Sequence, residues 1–203
     1  MNASCLLIVF AKAPVPGQAK TRLAPAIGFE GAAGLASVML AHTLRSAVDS
    51  GIGPVELCCA PDTGHAQFQQ AAGAGVSLTG QGGGDLGERM ERALARGLQH
   101  HPRVVLIGTD APLLDAAVLR DAATALLTHD VVIAPAADGG YVLVGLARRA
   151  PELFASVAWS TPLVMAQTRA RIAALGLSLH ELPTLHDIDE PRDLVHVPAE
   201  WQA

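Results

Sequence analysis

What most limits the folds open to this chain is a rhythm of short apolar runs, each of strand length and flanked by Gly, Pro or Asp. They recur at residues 5–10, 55–60, 76–79, 104–108, 131–135 and 141–146. Between most of them lie stretches of helical composition, at 29–50, 66–72, 86–100 and 115–128. Strand and helix in alternation predict βαβ crossovers. Near-continuous apolar strands predict a mainly parallel sheet covered by helices on both faces. The pattern changes after about residue 147: an irregular segment with a lone Trp159 precedes a helix at 162–175, a strand at 178–183 and an acidic stretch. Helix starts support this register. Asp85 with Glu88 reads as a capping box, Asp115 as the cap of the next helix, and Pro162 as a first helical residue. No repeat, low-complexity run or linker interrupts the 203 residues, so the expectation is one α/β domain, 1–203, with a Rossmann-like arrangement.

Composition narrows function. Only 3% of residues are aromatic and the formal charge is −5, which argues against a surface that reads nucleic acid by stacking and phosphate neutralisation. Any basic site must be local. Cys5, Cys58 and Cys59 lie in apolar runs without C-x-x-C spacing, so buried reduced thiols and a cytoplasmic setting are expected. The first apolar run is too short for a signal-peptide core and lacks a basic region before it, and no stretch is read as a membrane span.

In open α/β sheets ligands collect at the carboxyl ends of strands, so the loops after Phe10, Thr79, Gly108 and Pro135 and the tail near Asp187 are the places to search. After the first strand comes Ala11-Lys12-Ala13-Pro14-Val15-Pro16-Gly17-Gln18-Ala19-Lys20-Thr21-Arg22. Three cations and a glycine there make a phosphate-binding composition. It is not a P-loop, because Ala19 stands where that motif needs glycine. A solvated surface loop is the other reading. Gly82-Gly83-Gly84-Asp85-Leu86-Gly87 formally satisfies G-x-G-x-x-G, but it follows the third strand instead of the first, and a flexible loop feeding a capped helix reads equally well.

Asp110 ends a strongly apolar strand, where it could cap the next helix or bind a hard cation that is completed by substrate phosphates. Asp187 and Asp189 form a D-x-D pair whose alternation puts both on one side of an extended segment, although Asp189 or Glu190 could simply cap the short helix begun by Pro191. Cationic loop, strand-end Asp and D-x-D together describe a site for a metal-complexed di- or triphosphate. Asp138-Gly139-Gly140-Tyr141 follows another strand end. Its glycines allow close ligand approach and Asp138 could act as a base, with a hairpin turn as the alternative. Trp159-Ser160-Thr161 is either a sugar or base platform or a core Trp followed by a cap. Of the eight histidines only His186, beside Asp187, draws notice, and no G-x-S-x-G elbow is present.

Taken in order, Phe10-x-Lys12-x-Pro14-x-Pro16-Gly17-x-x-Lys20-Thr21-Arg22-Leu23, Gly84-Asp85-Leu86-Gly87-x-Arg89-Met90, Gly108-Thr109-Asp110-x-Pro112, Asp138-Gly139-Gly140-Tyr141, Trp159-Ser160-Thr161 and Asp187-x-Asp189-x-x-x-Asp193-Leu194 resemble the small bacterial glycosyltransferase-like family of the GT-A, or nucleotide-diphospho-sugar transferase, superfamily. Members of that family are often described as arsenosugar-biosynthesis glycosyltransferases. The resemblance implies a single GT-A domain with Ala11, Lys12, Gly17, Lys20, Arg22, Gly84, Leu86, Arg89 and Thr109 on the nucleotide. It implies Mg²⁺ or Mn²⁺ on Asp110, Asp187 and Asp189, as in the similar 2-phospho-L-lactate guanylyltransferases. It further implies Lys20, Asp110 and Asp138 as catalytic groups and Gly139, Gly140, Tyr141 and Trp159 around a small-molecule acceptor. Thr109-Asp110 replaces the full D-x-D of many sugar transferases. Glycosyl transfer from a nucleotide-sugar is the first expectation. Nucleotidyl transfer from an NTP with pyrophosphate release is the second, and a non-catalytic nucleotide-binding module the third. No nucleic-acid or membrane partner is expected, and a homodimer is allowed.

Overall fold

The computed structural model describes residues 5–201, so the first four and last two residues of the expected domain lie outside the described residues. Seven strands form one sheet: β1 (Cys5–Lys12), β2 (Val55–Ala60), β3 (Ser77–Gly80), β4 (Arg103–Ile107), β5 (Val131–Pro135), β6 (Tyr141–Leu146) and β7 (Leu179–Glu181), in the order β3-β2-β1-β4-β6-β5-β7. All neighbours run parallel except β6, which is antiparallel to both β4 and β5. The mainly parallel α/β expectation therefore holds. The one reversal comes from the β5–β6 hairpin across residues 136–140, closed by Ala136 N–H donating to Gly140 O at 3.0 Å.

Two-sided burial of the strands fixes the layers. On β1 the side chains alternate: Cys5, Leu7, Val9 and Ala11 face one apolar cluster, and Leu6 and Ile8 face another. The first cluster is covered by α1 (Ala24–Ser50), α2 (Ala66–Gly73) and α4 (Ala116–Ala125) through Leu40, Phe68 and Leu119. The second is covered by α3 (Leu86–Leu98) and α5 (Val164–Ala174) through Met90, Leu94, Met165 and Ile172.

The helix ends follow local chemistry. Asp85 Oδ1 accepts from Glu88 N–H and Glu88 Oε2 from Asp85 N–H, both at 2.9 Å, which completes the capping box of α3. Asp115 Oδ1 accepts from Ala117 and Val118 N–H at 2.8 and 3.0 Å and caps α4. Pro162 falls in the turn before α5, which begins at Val164, so the expected first helical residue lies two positions early. Regular helix in α1 resumes after Gly28, whose φ of 73° breaks the first turn, close to the expected start at residue 29. This helix corrects one expectation: by length and composition it is long and apolar enough to cross a membrane. One of its faces, including Ala32, Met39, Leu40 and Ala47, is buried.

Beyond β7 the chain continues alongside β5, bridging Ala136 with Leu185, and Ile188 N–H then donates to Asp110 O at 2.9 Å. The tail thus crosses the carboxyl ends of the strands and brings Asp187 and Asp189 to the end of β4. Ile188 between them is wholly buried with Leu23, Met39 and Val197 in a third, smaller cluster. The alternation predicted for the D-x-D pair is present, because both acids face away from that cluster into partial exposure.

Candidate active site

Chain order reverses between β1 and β4, and a cavity of about 510 Å³ opens at their carboxyl ends. Its walls come from the β1–α1 loop, the β4–α4 loop, the β5–β6 hairpin, the segment before α5 and the tail. The loop after β1 is built from turns, with Gln18 and Ala19 N–H both donating to Val15 O at 3.0 Å and Gly17 at a φ of 75° that favours glycine.

Lys20 also has a positive φ, 47°, a conformation costing a non-glycine residue about 1–3 kcal/mol. That backbone aims its ammonium inward. Nζ donates to Asp189 Oδ1 at 2.6 Å and to Ile188 O at 2.7 Å, and lies 2.8 Å from Asp110 Oδ1. The side chain is only 10% exposed. Burial works against its charge, but Asp110 and Asp189 outweigh that through charge and hydrogen bonds and raise its pKa above the ordinary lysine value. The sequence expectation put Lys20 on substrate phosphates; here it is committed to carboxylates. Lys12 and Arg22, also on the cavity wall, form no ion pair among the described residues. Asp110 is not a helix cap, since Asp115 does that work.

Asp187 feels the crowding of acids. Burial first, then the charge of Asp138, with Asp189 and Asp110 adding less, pushes its carboxyl up to about 6. Among the described residues no three His, Cys, Asp or Glu side chains form a ready-made metal-binding group. The donor chemistry nevertheless fits a hard divalent cation: Asp110 and Asp189 meet at one lysine with Asp187 on the same wall, and such ions bind through one or two carboxylates plus phosphate oxygens.

Beside Asp187, Asp138 sits in the hairpin, its Oδ1 accepting from Gly140 N–H at 2.8 Å. Gly139, at φ 93°, packs so closely that a Cβ there would lie 2.5 Å from Pro162 O, and its own carbonyl accepts from Met165 N–H at 2.9 Å. The hairpin reading of Asp138-Gly139-Gly140-Tyr141 holds, and Asp138, Gly140 and Tyr141 of that turn line the cavity. Tyr141 and Trp159 meet edge to face, centroids 6.3 Å apart. The Tyr141 hydroxyl and Trp159 indole N–H are buried without partners among the described residues, and burial raises the Tyr141 pKa and keeps it protonated.

The cavity brings together Ala11, Lys12, Lys20, Arg22, Leu86, Thr109, Asp110, Asp138, Gly140, Tyr141, Trp159, Asp187 and Asp189 of the residues singled out in the sequence. Gly17, Gly84, Arg89 and Gly139 do not line it and act from behind. Arg89 donates to Gln81 Oε1 at 2.9 Å and to Asp85 O at 3.2 Å. Gly87 allows close packing, because a Cβ there would come within 2.5 Å of Trp159 Nε1 and 2.7 Å of Phe154 O. Packing against Trp159 and Phe154 thus accounts for Gly87 at the end of the glycine-rich stretch. His186 is exposed and stacks on His196, 4.1 Å between centroids, away from the cavity wall.

Sequence reasoning missed Gln81 and gave Ser160 no role of its own. Gln81 Nε2 donates to Ala11 O and Cys58 O at 3.1 Å each, which ties the ends of β1 and β2 to the start of α3. Gln81 sits in no motif, and Ser160 entered only as the middle of Trp159-Ser160-Thr161. Gln81, just past a four-residue strand, gave no signal, whereas the positive φ of Ser160, 61°, emerges only from the fold.

This strand order, with a cavity at the β1/β4 reversal and an acid at the end of β4, is the Rossmann-like architecture of nucleotidyl- and nucleotide-sugar transferases. The chain belongs to the family described as uncharacterized protein conserved in bacteria (DUF2064), whose model matches residues 43–161. It is similar over 96% of its length to a provisionally named nucleotide-diphospho-sugar transferase from Desulfovibrio desulfuricans G20, at 32% identity, TM-score 0.84 and 85% coverage of that chain. The fold also matches a nucleotidyl transferase from Methanothermobacter, with TM-score 0.64, 15% identity and 98% of each chain covered. A third match is Rv0371c of Mycobacterium tuberculosis H37Rv in complex with manganese, with TM-score 0.57, 16% identity and coverage of 96% and 98%. No curated protein matches the sequence at a significant level.

Proposed function

We propose that the protein transfers a glycosyl group from a nucleotide-activated sugar to a small-molecule hydroxyl. The observation that carries this reading is the juxtaposition, in one cavity, of the cationic loop after β1 with Asp110, Asp187 and Asp189, and of Asp138 beside Asp187. The finer type, arsenosugar biosynthesis, belongs to the same proposal and rests on the ordered motifs alone.

In this reading Lys12 and Arg22 hold the diphosphate, and Gln81 with Arg89 keeps the Ala11 end of β1 in place beside the nucleoside. Asp110, Asp187 and Asp189 would hold Mg²⁺ or Mn²⁺, which supplies positive charge beside the departing diphosphate when bound. Asp138 takes the proton of the acceptor hydroxyl. The acceptor oxygen bonds to the anomeric carbon as the bond from that carbon to the phosphate oxygen breaks, and the nucleoside diphosphate leaves with the electron pair. The hairpin holds Asp138 in place before substrate arrives, which favours such a step through positioning.

Nucleotidyl transfer is the second reading, favoured by the three cations of the first loop. Incubation with nucleotide-sugars and with NTPs in the presence of Mn²⁺ separates the two. Release of nucleoside diphosphate from a nucleotide-sugar is expected; pyrophosphate release from an NTP, with nucleotide-sugars left intact, would reject glycosyl transfer.

A further inference from the structure

We infer that the acceptor is an uncharged polyhydroxy compound bound at the Asp138–Ser160 end of the cavity, and not a phosphorylated or carboxylated one. The inference rests on the glycosyl-transfer reading above and names the class of molecule that reading leaves open.

The cavity is electrically one-sided. The only Lys, Arg or His side chains on its wall among the described residues are Lys12, Lys20 and Arg22, all from the loop after β1. Lys20 is already shared between Asp110 and Asp189. The far end is walled by Asp138, Tyr141, Trp159, Ser160 and Thr161, with no cation among them. A phosphate or carboxylate placed there would face the Asp138 carboxylate and would give up its hydration for no Lys, Arg or His counter-charge on that stretch of wall. Juxtaposed like charges of this kind discriminate against a charged ligand.

Hydroxyl groups suit the same wall. Asp138 has one oxygen occupied by Gly140 N–H, while the other forms no hydrogen bond among the described residues and can accept from an O–H. Ser160 is held at a φ of 61° on the cavity wall, and its hydroxyl makes no hydrogen bond among the described residues. A strained residue with an unspent hydroxyl facing a cavity is the kind of outlier that points to ligand contact. Thr161, by contrast, spends its hydroxyl on Ala158 O at 2.7 Å and on Leu163 N–H at 3.3 Å. The edge-to-face Tyr141–Trp159 pair adds an apolar surface against which the C–H face of a sugar ring can rest.

The test uses the whole protein with Mn²⁺ and whichever nucleoside diphosphate stabilises it most. Into that complex ribose, glucose and glycerol are titrated by calorimetry, beside ribose 5-phosphate, glucose 6-phosphate and glucuronate. The neutral probes are expected to bind at least tenfold more tightly than their charged counterparts. The Asp138→Lys variant is expected to reverse the order in favour of the phosphates, and Asp138→Asn to keep the neutral preference while losing transfer; circular dichroism checks that both fold. Charged probes binding as well as or better than neutral ones, or no difference between the two sets, overturns the inference and leaves glycosyl transfer standing. Failure of every nucleoside diphosphate to bind, with pyrophosphate released from an NTP, overturns the reading beneath it as well.

Discussion

At the scale of single residues, the site is governed by where positive charge is spent. Lys20 lies in the left-handed region so that its ammonium reaches Asp110, Asp189 and Ile188 O at once. The cationic loop was legible in the sequence, because three cations and a glycine after a first strand have few other uses. The engagement of Lys20 was not, because it depends on the tail passing over the end of β4, a contact 169 residues apart in sequence. Removing the ammonium frees two carboxylates for a cation. Lys20→Ala is therefore expected to bind Mn²⁺ alone about tenfold more tightly than the native protein, near 1.4 kcal/mol, as measured by calorimetry without nucleotide. Asp110→Asn is expected to fold normally and to lose at least about tenfold in Mn²⁺-dependent nucleotide affinity, because one strand-end ligand is gone. Wild-type affinity in that variant would remove Asp110 from the cation site.

At the scale of elements, the strands and the helix caps were readable, and the way they meet was less so. The apolar runs located every strand to within a residue or a few, and Asp85 and Asp115 marked two helix starts, because caps and strand burial are local. The place of β6 is not local: the five residues between β5 and β6 are too few for a crossover and dictate a hairpin, but nothing in that turn says that the other edge of β6 pairs with β4. Two joints between elements can be tested. Gly139→Ala would force a Cβ against Pro162 O at a φ of 93° and is expected to cost about 2 kcal/mol in urea unfolding. The second joint ties the entry of β5 to the residue before β7: Asp130 Oδ2 accepts from Ser178 N–H at 2.9 Å and from its hydroxyl at 2.8 Å, while Asp130 N–H donates back to Ser178 Oγ at 2.9 Å. These hydrogen bonds, the backbone one foremost, hold the Asp130 carboxyl below its usual pKa. A lowered carboxyl stabilises the fold above its unfolded pKa, about 3.9, and loses that contribution as pH falls through the folded value. Asp130 is partly exposed, so Asp130→Asn is expected to cost only about 0.5–1 kcal/mol at pH 7, and the difference from native should shrink as pH falls through the folded carboxyl's titration in a thermal-melt series.

At the scale of the whole molecule, the cavity is a seam. One side is the first loop and the ends of β1 and β4; the other is the hairpin and the tail, and a ligand spanning them binds the folded chain alone. A metal-nucleotide complex at about one hundred times its Kd should add about 2.7 kcal/mol, which for a chain of this size is a rise in Tm of about 5–10 °C by differential scanning fluorimetry. A nucleoside lacking phosphates should give much less. The place of the seam could be anticipated from the general rule for open sheets, since the loops after Phe10, Gly108 and Pro135 and the tail all reach it. Its one-sided charge could not, because Asp138 and Asp187 become neighbours only when the tail runs alongside the end of β5.

Behind that seam lies the small apolar cluster of Leu23, Met39, Ile188 and Val197. Leu23 follows Arg22 directly and Ile188 separates the two tail acids, so a few greasy contacts seat both the loop and the tail. Drift at Met39 or Val197 would then be felt through turnover before it was felt through melting. In a lineage of such chains these buried positions should vary as if they belonged to the chemistry, although neither lines the cavity.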